Sequence, residues 1–254
     1  MKVVILAGGL GTRLAEYTDK VPKPMVPIGG KPIIWHIMQR YAKYGYKDFI
    51  VALGYKSEVV KDYFLRFSML NSNFTVDLKD GRVSDLESKS SDWRVSLVDT
   101  GEGMMTGGRI KRLEQYLTDD EFMMTYGDGV SDIDIGELVA FHRSRSAEAT
   151  VTAVRPPTRF GELRLSGDRV EMFEEKPQMQ DGWISGGFFV LNKSVLSYIN
   201  DDTTMFEREP LELIAKRGKL NAFKHEGFWQ CMDTKRDLEG LESVYKQQKP
   251  APWL

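Results

Sequence analysis

Apolar positions along the chain fall into short blocks punctuated by glycine, and the blocks alternate in period. Val3-Val4-Ile5-Leu6-Ala7 is an unbroken apolar run that stops at Gly8-Gly9. A run of that length without polar alternation predicts a strand buried on both faces, as in a parallel sheet. Ile33, Ile34, Ile37, Met38 and Tyr41 then recur at helical spacing and predict a helix over 32–44, ended by Gly45. Phe49–Leu53 repeats the buried-strand pattern and closes at Gly54, and Val59, Val60, Tyr63, Phe64 and Phe67 stripe a second helix over 56–67. Strand–helix–strand alternation from the start predicts a parallel sheet with right-handed crossovers.

The rhythm breaks over 71–100. FTVDL and VSLVDT alternate like strands, while DGRVSDLESKSSDW between them is polar and turn-rich, so an exposed arm, with a hairpin, is expected. Thr106-Gly107-Gly108-Arg109 opens a helix over 107–117, Phe122–Tyr126 is a central strand ending in Gly127-Asp128-Gly129, and a helix over 134–144 and a strand over 149–154 follow. Past Pro156-Pro157 the segments are shorter and more mixed: strands around Phe160–Leu163, Val170–Phe173 and Gly186–Leu191, then helices over 193–199, 207–216 and 235–247. The expectation is one domain, 1–254, with a soft division near 155 into a nucleotide-type half (1–155) and a substrate-type half (156–254).

Composition narrows the function classes. At 41% hydrophobic and 28% charged the chain is expected to be ordered. A net charge of −2 argues against a general nucleic-acid or membrane-surface binder, so an anionic ligand must meet a local basic pocket. A single cysteine, Cys231, excludes an internal disulfide framework and a Cys-rich zinc site and suits a reducing compartment, the cytoplasm. Lys2 before VVILA imitates a signal peptide, yet the apolar run is too short, and no stretch reaches the roughly 18–20 apolar residues that span a bilayer.

Within this frame, Gly8-Gly9-Leu10-Gly11-Thr12-Arg13 is a glycine loop delivered by a buried strand. Such a loop lets backbone N–H groups approach a phosphate chain, and Arg13 adds a planar cation. It is not GxxxxGK[ST], and Leu14 replaces the third glycine of GxGxxG. The window about twenty positions on holds Ile28 and Lys31, with no acid for a ribose, which weighs against a NAD-dependent oxidoreductase. Lys23, between Pro22 and Pro24, is expected on a stiff extended segment that fixes a second cation. Asp128 follows a strand end, where one carboxylate among small neighbours suits Mg²⁺ or simply makes a turn. Asp233 is the natural second carboxylate; it either caps the last helix or, if Thr234 caps, is left to face a metal. Glu174-Glu175-Lys176-Pro177 can hold a sugar hydroxyl and a phosphate, or form a charged turn, and Gly186-Gly187 admits a ligand ring or marks a bulge. His36, His142 and His225 have no partners at metal or triad spacing, and GxSxG, HExxH and CxxC are absent.

Together, Leu6–Leu14 (LAGGLGTRL), Lys23-Pro24-Met25, the strand ending in Gly127-Asp128-Gly129, Phe160–Leu163, Glu175-Lys176-Pro177 and Gly186-Gly187 resemble, in the same order, the sugar-1-phosphate nucleotidyltransferases. VDTG, MTGGR, TYGDGVSDID, GGFFV, FWQCMDTKRD and APW resemble the glucose-1-phosphate cytidylyltransferase branch of that family, which makes CDP-glucose for dideoxysugar pathways. The resemblance implies a Rossmann-like α/β fold: a mixed, mostly parallel central sheet with helices on both faces and a small β-rich substrate region. It implies CTP and glucose 1-phosphate as substrates, pyrophosphate as a product, Mg²⁺ as cofactor and a homo-oligomer, with no nucleic acid or membrane partner. Leu6, Ala7, Gly8, Gly9, Leu10, Gly11, Thr12, Arg13, Lys23, Met104, Thr106, Arg109 and Gly127 would face the nucleotide, Arg13 and Lys23 at the reacting centre. Gly161, Glu175, Lys176 and Gly187 would face the sugar phosphate, and Asp128 and Asp233 the metal. Met104 and Ser185 depart from the residues common in close relatives, near the base and the sugar respectively. A sugar-nucleotide sensor without catalysis would keep the pocket but could lose Lys23 or one aspartate, and neither is lost.

Overall fold

The computed structural model describes residues 1–87, 91–156, 162–166, 168–174 and 182–254. A seven-stranded sheet runs through it, in the spatial order 220–225, 149–154, 184–192, 121–126, 3–6, 48–53, 94–99. All strands run the same way except Ile184–Asn192, which is antiparallel to both its neighbours. This is the Rossmann-like, mostly parallel α/β architecture, and strands from both sides of position 155 lie in the one sheet.

The unbroken apolar run of Val3–Leu6 has a direct cause. Val3 and Ile5 pack on one face with Ile33, Ile37, Tyr41 and Leu241, while Val4 and Leu6 pack on the other with Ile110, Leu196, Phe206 and Ile214. Both faces are covered, so no position in the strand can be polar. The helix over Ile33–Lys43 buries the stripe expected of it, and Trp253 completes that layer: it is wholly buried, and its indole N–H donates to His36 Nδ1 at 3.1 Å. His36 Nε2 then carries the proton and donates to the Ile28 carbonyl at 2.8 Å.

The expected arm is present as a hairpin, Asn73–Val76 with Val83–Glu87, its first strand exposed throughout. A second hairpin, Glu162–Ser166 with Arg169–Glu174, forms the small β-rich region. Several boundaries differ from expectation. The 56–67 helix ends at Leu65 and a separate turn of helix follows over Phe67–Leu70; the 107–117 helix is Thr106–Arg112 plus a 3₁₀ turn; and 193–199 is 3₁₀ throughout Lys193–Tyr198. Leu220–His225, not foreseen as a strand, lies at the sheet edge and is only partly buried, so its apolar signal is thin. Among the described residues no helix is long and apolar enough to cross a membrane.

Four adjacent parallel strands end at Leu6, Leu53, Asp99 and Tyr126 along one edge of the sheet. The loops that leave them converge there, as ligand-binding loops do in open α/β sheets.

Candidate active site

The glycine loop is shaped by what surrounds it. Gly11 sits at φ +64°, and a Cβ there would come within 2.8 Å of the Thr18 methyl. Its carbonyl accepts from Leu14 N at 3.0 Å and Thr18 Oγ1 at 3.1 Å, which pins the loop onto the 3₁₀ turn Thr12–Leu14. Gly9 has open space beside it, with nothing within 4 Å of a Cβ position.

Lys23 departs from the expected extended segment. Pro22 is extended at ψ 150°, but Lys23–Met25 forms a 3₁₀ turn closed by Met25 N to Pro22 O at 2.8 Å and Val26 N to Lys23 O at 3.1 Å. Pro24 is tolerated because the second position of the turn needs no N–H donor. Its ring packs where a side chain on Gly127 would stand, 2.9 Å from that Cβ position, so Gly127 seats Pro24 and thereby Lys23.

Lys23 Nζ donates to Asp128 Oδ2 at 2.7 Å and Asp233 Oδ1 at 2.5 Å, and Arg13 Nη1 donates to Asp233 Oδ2 at 2.8 Å. Burial acts to lower the Lys23 pKa, but the two carboxylates outweigh it and the net shift is upward. Burial acts to raise that of Asp233, but Lys23 and Arg13 outweigh it and hold the carboxyl below its usual range. Thr234 takes the cap of the Lys235–Gln247 helix in a capping box with Asp237, whose Oδ2 also accepts from Asp233 N at 3.0 Å. The cap does not use the Asp233 side chain, which faces Lys23 instead. Asp128 stands just before the Gly129–Ser131 strand, which pairs with Trp229–Cys231, and Met232 N donates to the Asp128 carbonyl at 2.8 Å. That small ribbon brings the two aspartates together.

Two cavities meet at this cluster. The larger, about 540 Å³, is lined by Leu6–Arg13, Lys23, Met104, Thr106, Arg109, Gly127 and Asp128, every residue expected at the nucleotide. The smaller, about 150 Å³, is lined by Ser185, Gly186, Gly187, Trp229, Cys231 and Asp233 and shares Arg13, Tyr126 and Asp128 with the first. Gly187 sits at φ +77° with the Tyr126 ring 2.5 Å from its Cβ position, so the wall between the cavities depends on a glycine there. Gly161, Glu175 and Lys176 lie outside the described residues.

Two expected nucleotide contacts have their polar atoms engaged by protein. Thr106 Oγ1 donates to Glu207 at 2.5 Å and accepts from Phe206 N at 2.9 Å; both terminal nitrogens of Arg109 donate to loop acceptors. Glu207 escaped the sequence reading. It also accepts from Tyr126 Oη at 2.5 Å and ties the wall of the large cavity to the dividing ring. Nothing in Phe206-Glu207-Arg208 marks it. The glycines of the TGGR motif have a packing reason: a Cβ on Gly107 or Gly108 would meet the carbonyl of Thr204 or Asp202 at 2.6 and 2.5 Å.

The histidines are structural. His142 bridges Thr150 and Asn192, and His225 Nε2 faces both Ser131 Oγ at 3.2 Å and Asp132 Oδ1 at 2.9 Å. One nitrogen serving both partners cannot relay a proton between them. Burial, with Asp233 and Asp128 nearby, pushes the Cys231 thiol up to about 12, which makes it no nucleophile.

The sequence matches the nucleotidyl transferase family over residues 2–237. It is 51% identical over 254 residues to the glucose-1-phosphate cytidylyltransferase of Salmonella typhi, covering all of this chain and 98% of that one. It is 42% identical over 248 residues to a probable glucose-1-phosphate cytidylyltransferase of Bacillus subtilis, covering 97% of each. Among solved structures, HddC from Yersinia pseudotuberculosis in complex with GMP-PN superposes with a TM-score of 0.69 at 26% identity, covering 97% of this chain and 99% of that one. The chain belongs to the nucleotidyl transferase family and is a nucleotidyltransferase.

Proposed function

We propose that the protein transfers a cytidylyl group from CTP to α-D-glucose 1-phosphate, giving CDP-glucose and pyrophosphate. The observation that carries this is the junction of a nucleotide-sized and a smaller cavity at Lys23, Arg13, Asp128 and Asp233. The 51% identity to a glucose-1-phosphate cytidylyltransferase supports the choice of base and sugar.

A phosphate oxygen of the sugar attacks the α-phosphorus of CTP in line; the new P–O bond forms as the bond to the bridging oxygen of pyrophosphate breaks. The nucleophile is already an anion and needs no general base, which agrees with the structural roles of the histidines. The protein's part is positioning and charge stabilisation. Loop amides from Gly8 to Arg13 lie along the phosphates, and Arg13 and Lys23 offset the repulsion of two polyanions. Gly187 lines the smaller cavity, which takes the sugar phosphate; Gly161, Glu175 and Lys176 are assigned to the same substrate by family resemblance alone.

Asp128 and Asp233 fit a divalent cation such as Mg²⁺. Their oxygens converge on one point, now held by the Lys23 ammonium, and both are hard donors. Among the described residues no cluster of three or more ligating side chains exists, which suits an ion that completes its shell with phosphate oxygens and water. When bound, it supplies charge stabilisation at the phosphates.

The test is pyrophosphate release over a panel of NTPs against a panel of sugar 1-phosphates, with and without Mg²⁺. CTP with glucose 1-phosphate is expected to be the preferred pair. A preference for UTP or dTTP would move the base assignment, and no turnover with CTP and glucose 1-phosphate would overturn the proposal.

A further inference from the structure

Arg109 is 4% exposed and has no carboxylate at ion-pair distance among the described residues. Nη1 donates to Leu53 O at 3.0 Å, Thr100 Oγ1 at 2.8 Å and Gly101 O at 2.7 Å; Nη2 donates to Gly8 O at 2.9 Å and Glu102 O at 3.0 Å. These acceptors stand where three neighbouring parallel strands end, after Leu6, at Leu53 and after Asp99. One planar fork thus fastens three loops, including the one that carries Gly8.

Two glycines make room for it. A Cβ on Gly8 would lie 2.1 Å from Arg109 Nη1; a Cβ on Gly54 would lie 2.5 Å from the same atom and 2.8 Å from the Gly8 carbonyl. Neither glycine has a positive φ, so the requirement is space alone. Gly54 lines neither cavity of the active site.

From this geometry we infer that Arg109 is a positioning residue for the nucleotide. It acts through the Gly8 carbonyl of the glycine loop, and Gly54, which lines neither cavity, belongs to the same device. A lysine cannot reproduce the fork, because it offers one point charge where five acceptors are shared between two guanidinium nitrogens. The charge also lies against the Gly8 carbonyl, held by carbonyl and hydroxyl oxygens within hydrogen-bond distance. The inference rests on the nucleotidyl-transfer reading for its kinetic consequence, and on the structure alone for its effect on the loop.

Arg109→Lys, Arg109→Met and Gly54→Ala are made in the full chain. For each, thermal stability, hydrogen exchange of the 7–13 amides without ligand, and KM for CTP and for glucose 1-phosphate are measured. Expected are faster exchange over 7–13 in all three and a rise of about tenfold or more in the KM for CTP, with the KM for the sugar phosphate within about twofold of wild type. A folded Gly54→Ala with wild-type exchange and wild-type KM for CTP overturns the inference. So does full restoration by Arg109→Lys where Arg109→Met fails, since charge alone would then suffice. If Gly54→Ala does not fold, the Arg109 pair decides. If the wild type does not turn over CTP and glucose 1-phosphate, the function falls, while the exchange data still decide the inference.

Discussion

Lys23 is the residue on which the charge balance at the junction turns, since among the described residues it is the cation that pairs with both aspartates. Lys23→Ala is expected to lower turnover about 10²-fold or more, the scale of losing one preorganised charge-stabilising donor, measured as pyrophosphate release at a temperature where the variant is folded. Its place was legible from the flanking prolines; its burial was not, because a 3₁₀ turn and the Gly127–Pro24 contact depend on a strand a hundred residues away. His36 carries a pH prediction. Burial lowers its pKa below the ordinary 6.5, and the Trp253 indole donates to Nδ1, which must therefore be unprotonated. The unfolded chain binds the proton more readily, so this contribution to stability is complete above about pH 6.5 and is lost as pH falls toward the depressed folded value. Melting temperatures from pH 8 to pH 5 are expected to fall more for wild type than for His36→Asn.

At the scale of elements, the capping box at the head of the Lys235–Gln247 helix serves both stability and site. Asp237→Ala removes acceptors for Asp233 N, Thr234 N and Thr234 Oγ1 and is expected to lower stability by about 1 kcal/mol in a denaturant titration. Asp233 leans on the same box, so the variant is also expected to need more Mg²⁺ for half-maximal activity. The sequence left the cap open between Asp233 and Thr234, and Thr234 takes it. The first strands were plain, since a strand covered on both faces leaves a continuous apolar run. Leu220–His225 was not, because an edge strand with alternating partial exposure carries no such mark. Thr106–Arg112 was read too long: Arg112 is drawn to Asp202 and Leu113 turns into a 3₁₀ segment, interactions with no local signature.

Over the whole molecule, the site is a meeting of segments far apart in sequence. The aspartates were paired by chemistry, as two carboxylates for one metal, and by family resemblance; what joins them physically is the ribbon between Gly129–Ser131 and Trp229–Cys231, which pairing rules alone do not reveal. Glu207 escaped for the same reason, its partners being 101 and 81 positions away. Asp128→Asn and Asp233→Asn are each expected to shift the Mg²⁺ titration of activity to higher concentration; a variant with the wild-type titration would remove that residue from the metal site. Without metal, Lys23 and Arg13 together balance the two carboxylates from within. A chelator is therefore expected to abolish turnover while leaving the melting temperature unchanged in a thermal scan.

The Lys23–Asp233 contact joins positions 210 apart, and its consequence is one of timing. As the chain is made, the glycine loop and its lysine exist long before either aspartate, and the second aspartate comes after every strand of the central sheet. A partly made chain can possess the glycine loop and most of the sheet and still lack the proposed reaction centre. Non-local closure of this kind comes late in folding, after the local elements it joins. Catalytic competence is then among the last properties the molecule acquires, and recovery of turnover after denaturation should lag recovery of secondary structure.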